Sequence, residues 1–297
     1  MRLLLIGQGY VGAYLTKHLT EAGHSLTVAS TSFADVMVDG ETRHKLRYQD
    51  VYTDLLGDSD AILWFAGHSS VGKSIEDPSG AVRNNCFDLL ELARRKPGHV
   101  PLIYASTASL YSVEHRPEDN AGPQPLTEPD ARISSLNAYD SSKAAFDALI
   151  VPLANNTTGL RLGTVCGYSP RMREELVFNS MNLAALRNGV VNVANRKAWR
   201  SLLFLDDLAA TIDALLGMTD PAPRFLNLAS IDTQIGTLAD DIAAYHGAVV
   251  REHPNTSTYS FRMDTTLMHS IVGPRPTPTI TERCAAFKTA ITSASGA

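Results

Sequence analysis

Tyr139 and Lys143 stand four residues apart in Asn137-Ala138-Tyr139-Asp140-Ser141-Ser142-Lys143, which opens an apolar, alanine-rich run through Ile150. On a helix that spacing places both side chains on one face. An ammonium beside a phenol favours the phenolate and draws a reference pKa of about 10 toward working pH. Tyr139 is thereby a candidate acid/base for a hydroxyl or carbonyl, moving a proton while hydride moves elsewhere. The spacing alone also describes an ordinary surface pair, so the reading depends on two further features. One is a glycine signature at the start of the chain. The other is a hydroxyl-rich strand end, Ser106-Thr107-Ala108-Ser109, just upstream of the pair.

The glycine signature is Gly7-Gln8-Gly9-Tyr10-Val11-Gly12. It follows a continuous apolar run, Leu3 to Ile6, that predicts a strand buried on both faces. Val11, Tyr14, Leu15, His18, Leu19 and Ala22 then recur at helical spacing up to Gly23-His24, and a second strand, Ser25 to Ala29, comes next. Strand, glycine turn, helix and strand in that order predict a dinucleotide site. Small residues let the backbone approach a pyrophosphate, and the helix start offers free N–H groups and a positive dipole end. Beyond the second strand stand Ser30, Thr31 and Ser32, with no acidic residue to hold a ribose 2′-hydroxyl and Arg43 and Lys45 farther on. Hydroxyls without a carboxylate accommodate a 2′-phosphate, so the cofactor is read as NAD(P) with a lean to NADP.

Further strands are expected at Leu46 to Val51, with Asp50 near its end, and at Ala61 to Ala66, where Phe65-Ala66-Gly67 offers backbone to a cofactor. A helix carrying Asn85 is expected over Val82 to Arg95. Pro101 to Ala105 and Gly159 to Val165 complete the alternation, separated by a long loop, His115 to Ser135, and the Tyr139 helix. This pattern predicts an α/β fold, a doubly wound parallel sheet of Rossmann type with a smaller C-terminal substrate-binding region. The dinucleotide-binding part is expected over residues 1–165 together with about 201–230, and the smaller part over 166–200 and 231–297. Ligands in such sheets sit at the carboxyl ends of strands, where Gly7, Gly67 and Thr107 fall.

In the second half, a helix is expected over Val177 to Leu186 and strands at Val190 to Val193 and Leu202 to Leu205. Asp206-Asp207 precede an apolar helix, Leu208 to Leu216, and read better as cap and dipole compensation than as acid and base. Arg171, Arg173 and Arg200 are candidates to hold an anionic substrate group. The final Ser-Ala-Ser-Gly-Ala reads as disordered.

The chain has 297 residues, 44% of them hydrophobic, enough for a sizeable core, and a net charge of −5 with no Lys/Arg-dense stripe. Nucleic acid is therefore not expected as a partner. Three distant cysteines, Cys86, Cys166 and Cys284, argue against a disulfide framework and suit a reducing cytoplasm. No histidine spacing supports a metal site. The apolar start lacks a cleavage site, and no apolar run approaches bilayer-spanning length, so no membrane association is expected.

Taken together, these residues resemble the extended short-chain dehydrogenase/reductase family of nucleotide-sugar epimerases and dehydratases. The stretch Phe65-Ala66-Gly67-His68-Ser69-Ser70-Val71-Gly72-Lys73-Ser74, with Asp77-Pro78 and Asn84-Asn85, is similar to one carried by UDP-galactose 4-epimerases after their fourth strand. Ser106-Thr107-Ala108-Ser109-Leu110-Tyr111 resembles the family's Ser-Ser-x-x-Val-Tyr segment, and Tyr139 and Lys143 its Tyr-x-x-x-Lys.

The resemblance implies catalytic roles for Thr107, Tyr139 and Lys143. Cofactor contacts are implied for Gly7, Gly9, Tyr10, Val11, Gly12, Ser30, Thr31 and Phe65 to Gly67, and also for Asp50, Val51 and Asn85. Substrate contacts are implied for Ser69, Ser109, Thr164, Arg171, Asn179 and Arg200. Ile6 stands where most members have a first glycine, Ala108-Ser109 replace the Asp-Glu pair of dehydratases, and Thr164 ends a strand where many epimerases carry asparagine. The implied activity is epimerisation of a nucleotide sugar by transient hydride removal. The alternatives are NADPH-dependent reduction of a keto-sugar nucleotide and non-catalytic sensing of NAD(P)H. Relatives pair through the helices around Asn85 to Arg95 and after Tyr139, which implies a homodimer.

Overall fold

The computed structural model describes residues 1–35, 37–51, 53–114, 123–131, 137–153, 155–256 and 258–295. The first half alternates strand and helix: β1 (Arg2–Ile6), α1 (Tyr10–Glu21), β2 (Ser25–Ser30), β3 (Glu41–Lys45), α2 (Thr53–Gly57) and β4 (Ala61–Trp64). Next come α3 (Val71–Glu76), α4 (Pro78–Val82), a π-helical turn (Arg83–Phe87), α5 (Asp88–Arg95), β5 (Leu102–Thr107) and the short β6 (Val113–Glu114). The middle holds α6 (Ala138–Leu153), β7 (Thr157–Leu162), β8 (Thr164–Cys166), α7 (Val177–Asn188), β9 (Val190–Val193) and β10 (Trp199–Phe204). After these follow α8 (Leu205–Leu216), β11 (Phe225–Leu228), β12 (Ile231–Gln234), α9 (Ile235–His246) and β13 (Val249–Glu252). The chain closes with β14 (Tyr259–Ser260), α10 (Thr266–Val272) and α11 (Ile280–Ser295).

Seven strands form one parallel sheet in the order β11-β7-β5-β4-β1-β2-β3. Alternation along each strand sends side chains to opposite faces. Leu3 and Leu5 pack with Leu15 and Leu19 of α1 and Leu208 and Ile212 of α8. Leu4 and Ile6 pack with Leu89 and Leu92 of α5 and Phe146 and Ile150 of α6. Both faces are covered, which is why β4 and, beyond the exposed Arg2, β1 are apolar. A second core brings α7, α9 and α11 around β8, β9 and β10, with Phe178 set edge-on to Phe204 and Phe287.

Several expectations change. The strand expected at Leu46 to Val51 lies earlier, at Glu41–Lys45, and Asp50 ends a 3-10 turn instead. Its residues, Glu-Thr-Arg-His-Lys, carry no apolar signal because this is an edge strand. Its buried Glu41 is held by Arg43 and Gln8 rather than by apolar packing. The strand expected over Gly159 to Val165 breaks at Gly163, leaving β7 in the large sheet while β8 pairs with β10. A Cβ on Gly163 would lie 2.6 Å from the Ser201 carbonyl oxygen, so the crossing between sheets needs glycine there.

The helix expected over Val82 to Arg95 contains the five-residue π turn at its start. Ser293 to Ser295, expected to be disordered, continue α11, while 296–297 lie outside the described residues. Most of the His115 to Ser135 loop also lies outside them; Glu128–Asp130 form a 3-10 turn with a capping box from Thr127. Among the described residues no helix is long and apolar enough to cross a membrane.

Candidate active site

A cleft of about 990 Å³ runs along the carboxyl ends of β1, β2, β4 and β5 and is closed on its other side by β8, the segment after it, and β10. Gly7, Gly67 and Thr107 all line it. The glycine turn at its floor is set by contact distances. Gly7 has φ +95°, and a Cβ there would lie 2.6 Å from the Ala66 backbone; a Cβ on Gly12 would lie 2.0 Å from the Gly7 carbonyl oxygen. Gly9 is different: nothing lies within 4 Å of where its Cβ would stand.

Gly9 also caps α1 without a side-chain hydrogen bond, and no acid occupies the first helical turn. The helix start therefore offers its N–H groups and dipole to an anion, which fits the pyrophosphate of a dinucleotide. Ile6, standing where relatives have a glycine, is buried in β1 between Ala29 and Trp64 and does not intrude on the turn. The Ser30 hydroxyl accepts the Gln8 N–H and donates to the Ser32 carbonyl, tying the end of β2 to the turn. Thr31, Phe65 and Ala66 line the same end.

At the other end, α6 carries Tyr139 and Lys143 into the cleft opposite Thr107. Lys143 is buried, and its Nζ donates to the Ala105 carbonyl at 2.7 Å. Burial pushes its pKa down to about 8 against the pull of Asp147. Tyr139 is half-buried. Burial raises the phenol, the Thr107 hydroxyl in contact with it lowers it, the Asp140 carboxylate raises it and Arg173 lowers it; the net direction is up. The expectation that Lys143 would bring the phenol down is corrected here, because the ammonium is engaged by a strand-end carbonyl rather than by the phenol.

Beneath this pair lies a buried polar chain. Thr107 Oγ1 and Ser109 Oγ are 2.8 Å apart, and the Ser109 hydroxyl donates to Asp140 Oδ1 at 2.5 Å. Asp140, fully buried, also accepts at Oδ2 from Asn137 Nδ2 (2.9 Å) and the Tyr259 hydroxyl (3.1 Å). Sequence reasoning passed over Asp140, although it lies inside the quoted run. Tyr259 carried no signal at all, being brought from β14 by folding.

The two arginines of the loop after β8 diverge. Arg171 Nη1 donates to the Gln8 carbonyl (2.9 Å), the Ser32 carbonyl (3.1 Å) and Ser32 Oγ (2.8 Å), so it sits at the glycine turn and not on the substrate side where it was expected. Arg173 donates to the Ser69 carbonyl at 2.7 Å, at the Tyr139 end. Arg200 is buried beside the Phe261 ring, donates to Thr258 Oγ1 at 2.5 Å, and has its pKa lowered by burial to about 10. Ser69, Ser109 and Thr164 line the cleft with it, as do Tyr10 and Val11.

Five expected contacts do not line the cleft. Gly12 packs α1 onto the turn. Asp50 pairs with Arg47 in the 3-10 turn, and Val51 is in the core, its carbonyl accepting from Arg95. Asn85 is buried and donates to the His68 carbonyl and Ser142 Oγ, holding the Gly67 loop against α6. Asn179 is buried, donates to the Tyr10 hydroxyl and accepts the Gly167 N–H. Asp206 and Asp207, read above as cap and dipole compensation, lie in the first turn of α8 without a side-chain cap bond and accept from Arg283, away from the cleft.

Comparison with known proteins gives the following. A family model described as "NAD dependent epimerase/dehydratase family" matches residues 3–229. A UDP-glucose 4-epimerase of Streptomyces lividans is 33% identical over 154 residues, covering 48% of this chain and 44% of that protein. One of Corynebacterium glutamicum is 31% identical over 179 residues, covering 56% and 52%. The match thus spans about half the length of these relatives. Among solved structures, a UDP-glucuronic acid 4-epimerase from Bacillus cereus, in complex with UDP-glucuronic acid and NAD, superposes with a TM-score of 0.82 at 17% identity, covering 99% of this chain and 100% of that one. An NAD-dependent NDP-hexosamine 5,6-dehydratase of tunicamycin biosynthesis gives 0.81 at 21% identity, covering 98% of each chain.

Proposed function

The chain belongs to the NAD dependent epimerase/dehydratase family, and from that premise we propose that it is an enzyme that inverts a sugar carbon of a nucleotide sugar with the help of NAD(P). One observation carries the reading: Tyr139, Lys143 and Thr107 share a single cleft with an uncapped helix start behind a glycine turn. The relatives with which it shares about a third of aligned residues are UDP-glucose 4-epimerases, which supports that substrate class.

Gly9, Tyr10 and Val11 would hold the pyrophosphate, and Ser30 and Thr31 the adenosine ribose. Phe65 to Gly67 and Lys143 would hold the nicotinamide end. When bound, NAD(P) accepts and returns hydride at the sugar carbon. Tyr139 takes the proton of the reacting hydroxyl and later gives it back to the ketone oxygen. Thr107 presents its hydroxyl beside the phenol. Ser69, Ser109, Thr164, Arg173 and Arg200 face the part of the cleft open to a nucleotide-linked sugar. Arginine's forked donors suit a diphosphate, and a dehydratase's dedicated acid and base have no counterpart at Ala108-Ser109.

A second reading, NADPH-dependent reduction of a keto-sugar nucleotide, is favoured by Arg171. Its guanidinium stands among Ser32 and Gln8 at the end of β2, where an arginine accommodates a 2′-phosphate. We accordingly retain the lean to NADP. We also place two copies of the chain together through α5 and α6, where Phe87 beside α5 and Leu149, Val151 and Leu153 of α6 are exposed. The three buried free thiols suit a reducing cytoplasm.

Purified protein incubated with UDP-glucose, UDP-galactose, UDP-glucuronic acid or UDP-N-acetylglucosamine and either cofactor tests the reading. Sugar interconversion without net change in nicotinamide absorbance is the expected result. Net oxidation of NADPH with a keto-sugar nucleotide would replace it with the reductase, and binding without turnover would leave a sensor.

A further inference from the structure

The segment between β8 and α7, residues 167–176, is bonded to both lips of the cleft. At its root Gly167 gives its N–H to Asn179 Oδ1 (2.9 Å), and its carbonyl accepts the Tyr10 hydroxyl (2.7 Å). The Ser169 hydroxyl donates to the Tyr10 carbonyl at 2.7 Å. Farther out, Arg171 holds the Gln8 and Ser32 carbonyls and Ser32 Oγ, at the end of β2. Two residues on, Arg173 holds the Ser69 carbonyl, beyond the end of β4. In the sheet, β1 lies between β4 and β2. A chain pinned at Ser32 and at Ser69 therefore crosses over the end of β1 and the glycine turn that follows it. That turn is where the pyrophosphate of a dinucleotide would lie.

The anchors differ in strength. Tyr10, Ser169 and Asn179 are buried, whereas Arg171 and Arg173 are half-buried and make their bonds to Ser32 and Ser69 in reach of water. Exposed hydrogen bonds open at lower free energy than buried ones. The root holds while the arginine stretch can lift.

We propose that residues 170–175 form a strap across the mouth of the cleft, and that NAD(P) enters and leaves only when Arg171 and Arg173 release the two lips. This rests on the reading of the cleft as a dinucleotide site. Ser69 and Arg173 lie outside the residues assigned to the cofactor, so their bond bears on the rate of exchange and not on affinity. The device bears on the choice between the two activities. An epimerase regenerates its cofactor in place and needs no exchange, whereas a reductase must open the strap once per turnover.

The test is stopped-flow mixing of the full chain with NADPH, and with NADH in parallel, followed by nicotinamide fluorescence with no nucleotide sugar present. In the wild type the observed rate is expected to level off as cofactor concentration rises, because opening then limits binding. In Arg173→Met the plateau and the release rate should both rise about tenfold, the effect of losing one charge-assisted bond. Kd should change by less than about threefold. In Ser32→Ala, an exposed position that loses one bond of the other anchor, the plateau should rise about threefold. A wild-type rate that climbs linearly with concentration would overturn the strap, as would a plateau unmoved in either variant. A Kd raised tenfold at an unchanged plateau would make Arg173 a cofactor ligand and overturn it equally. Should Arg173→Met fail to fold, the wild-type curve and Ser32→Ala decide. A chain that binds cofactor but inverts no sugar still answers the question, while one that binds neither cofactor overturns the strap together with the dinucleotide reading.

Discussion

Lys143 Nζ donates to the carbonyl oxygen of Ala105 at 2.7 Å, so the ammonium is anchored at the end of β5, one helical turn from the phenol it was expected to activate. The lysine is thereby a buried cation held mainly by a backbone dipole, with Asp147 farther off favouring its charged form.

That burial gives Lys143 a signature in stability. Its pKa falls from 10.5 to about 8 on folding, a difference worth about 3 kcal/mol. The unfolded chain binds the proton more tightly, so the penalty is fully present below pH 8 and is relieved as pH rises toward 10.5. Urea denaturation of the wild type and of Lys143→Met at both ends of that window should show the wild type gaining up to about 3 kcal/mol relative to the variant. Equal pH slopes would contradict it.

The glycines of the turn separate fold from binding. Gly12→Ala places a methyl 2.0 Å from the Gly7 carbonyl oxygen and should cost about 2 kcal/mol or more in thermal unfolding. Gly9→Ala meets nothing within 4 Å; it should melt like the wild type and bind NAD(P)H about tenfold more weakly, by about 1.4 kcal/mol. The opposite pattern would place the pyrophosphate elsewhere.

Arg171→Met should lower NADPH affinity by about tenfold while changing NADH affinity by less than about threefold, measured by nicotinamide fluorescence. Equal losses for both cofactors would assign the guanidinium to the turn itself and remove the lean to NADP.

Asp147 sits inside the core, accepting from Tyr104 and Ser106 at 2.9 Å each and from Arg161 Nε at 3.3 Å. Asp147→Ala leaves the Arg161 charge buried without this partner and should destabilise the fold by about 3–5 kcal/mol. Arg161 Nη1 also donates to the Tyr111 hydroxyl and the Glu128 carbonyl, and a loss within about 0.5 kcal/mol, the size seen at surface sites, would show that these two suffice for it.

What could be read from the sequence was local. The turn at Gly7 and the i,i+4 pair on α6 declare themselves within a few residues, because the physical demand and the residues that meet it are neighbours. The strand β3 escaped because Glu41 is buried through partners at Gln8 and Arg43, one of them 33 positions away. Arg171 was assigned to the wrong end of the cleft because its direction depends on how the chain after β8 folds back over Ser32, 139 positions earlier. Tyr259 reaches Asp140 across 119 positions, and a single sequence carries no trace of that approach. Hydrophobic pattern located the five inner strands of the large sheet; polar contacts between distant segments, which decide how the cleft is furnished, left no periodicity to read.

The central claim is that the phenol of Tyr139 moves the substrate proton. The direct measurement is the turnover of Tyr139→Phe with UDP-glucose and UDP-galactose alongside its affinity for NAD(P)H. Turnover should fall by about 100-fold or more, with the dissociation constant of the cofactor changed by less than about threefold. Wild-type turnover in that variant would contradict the account.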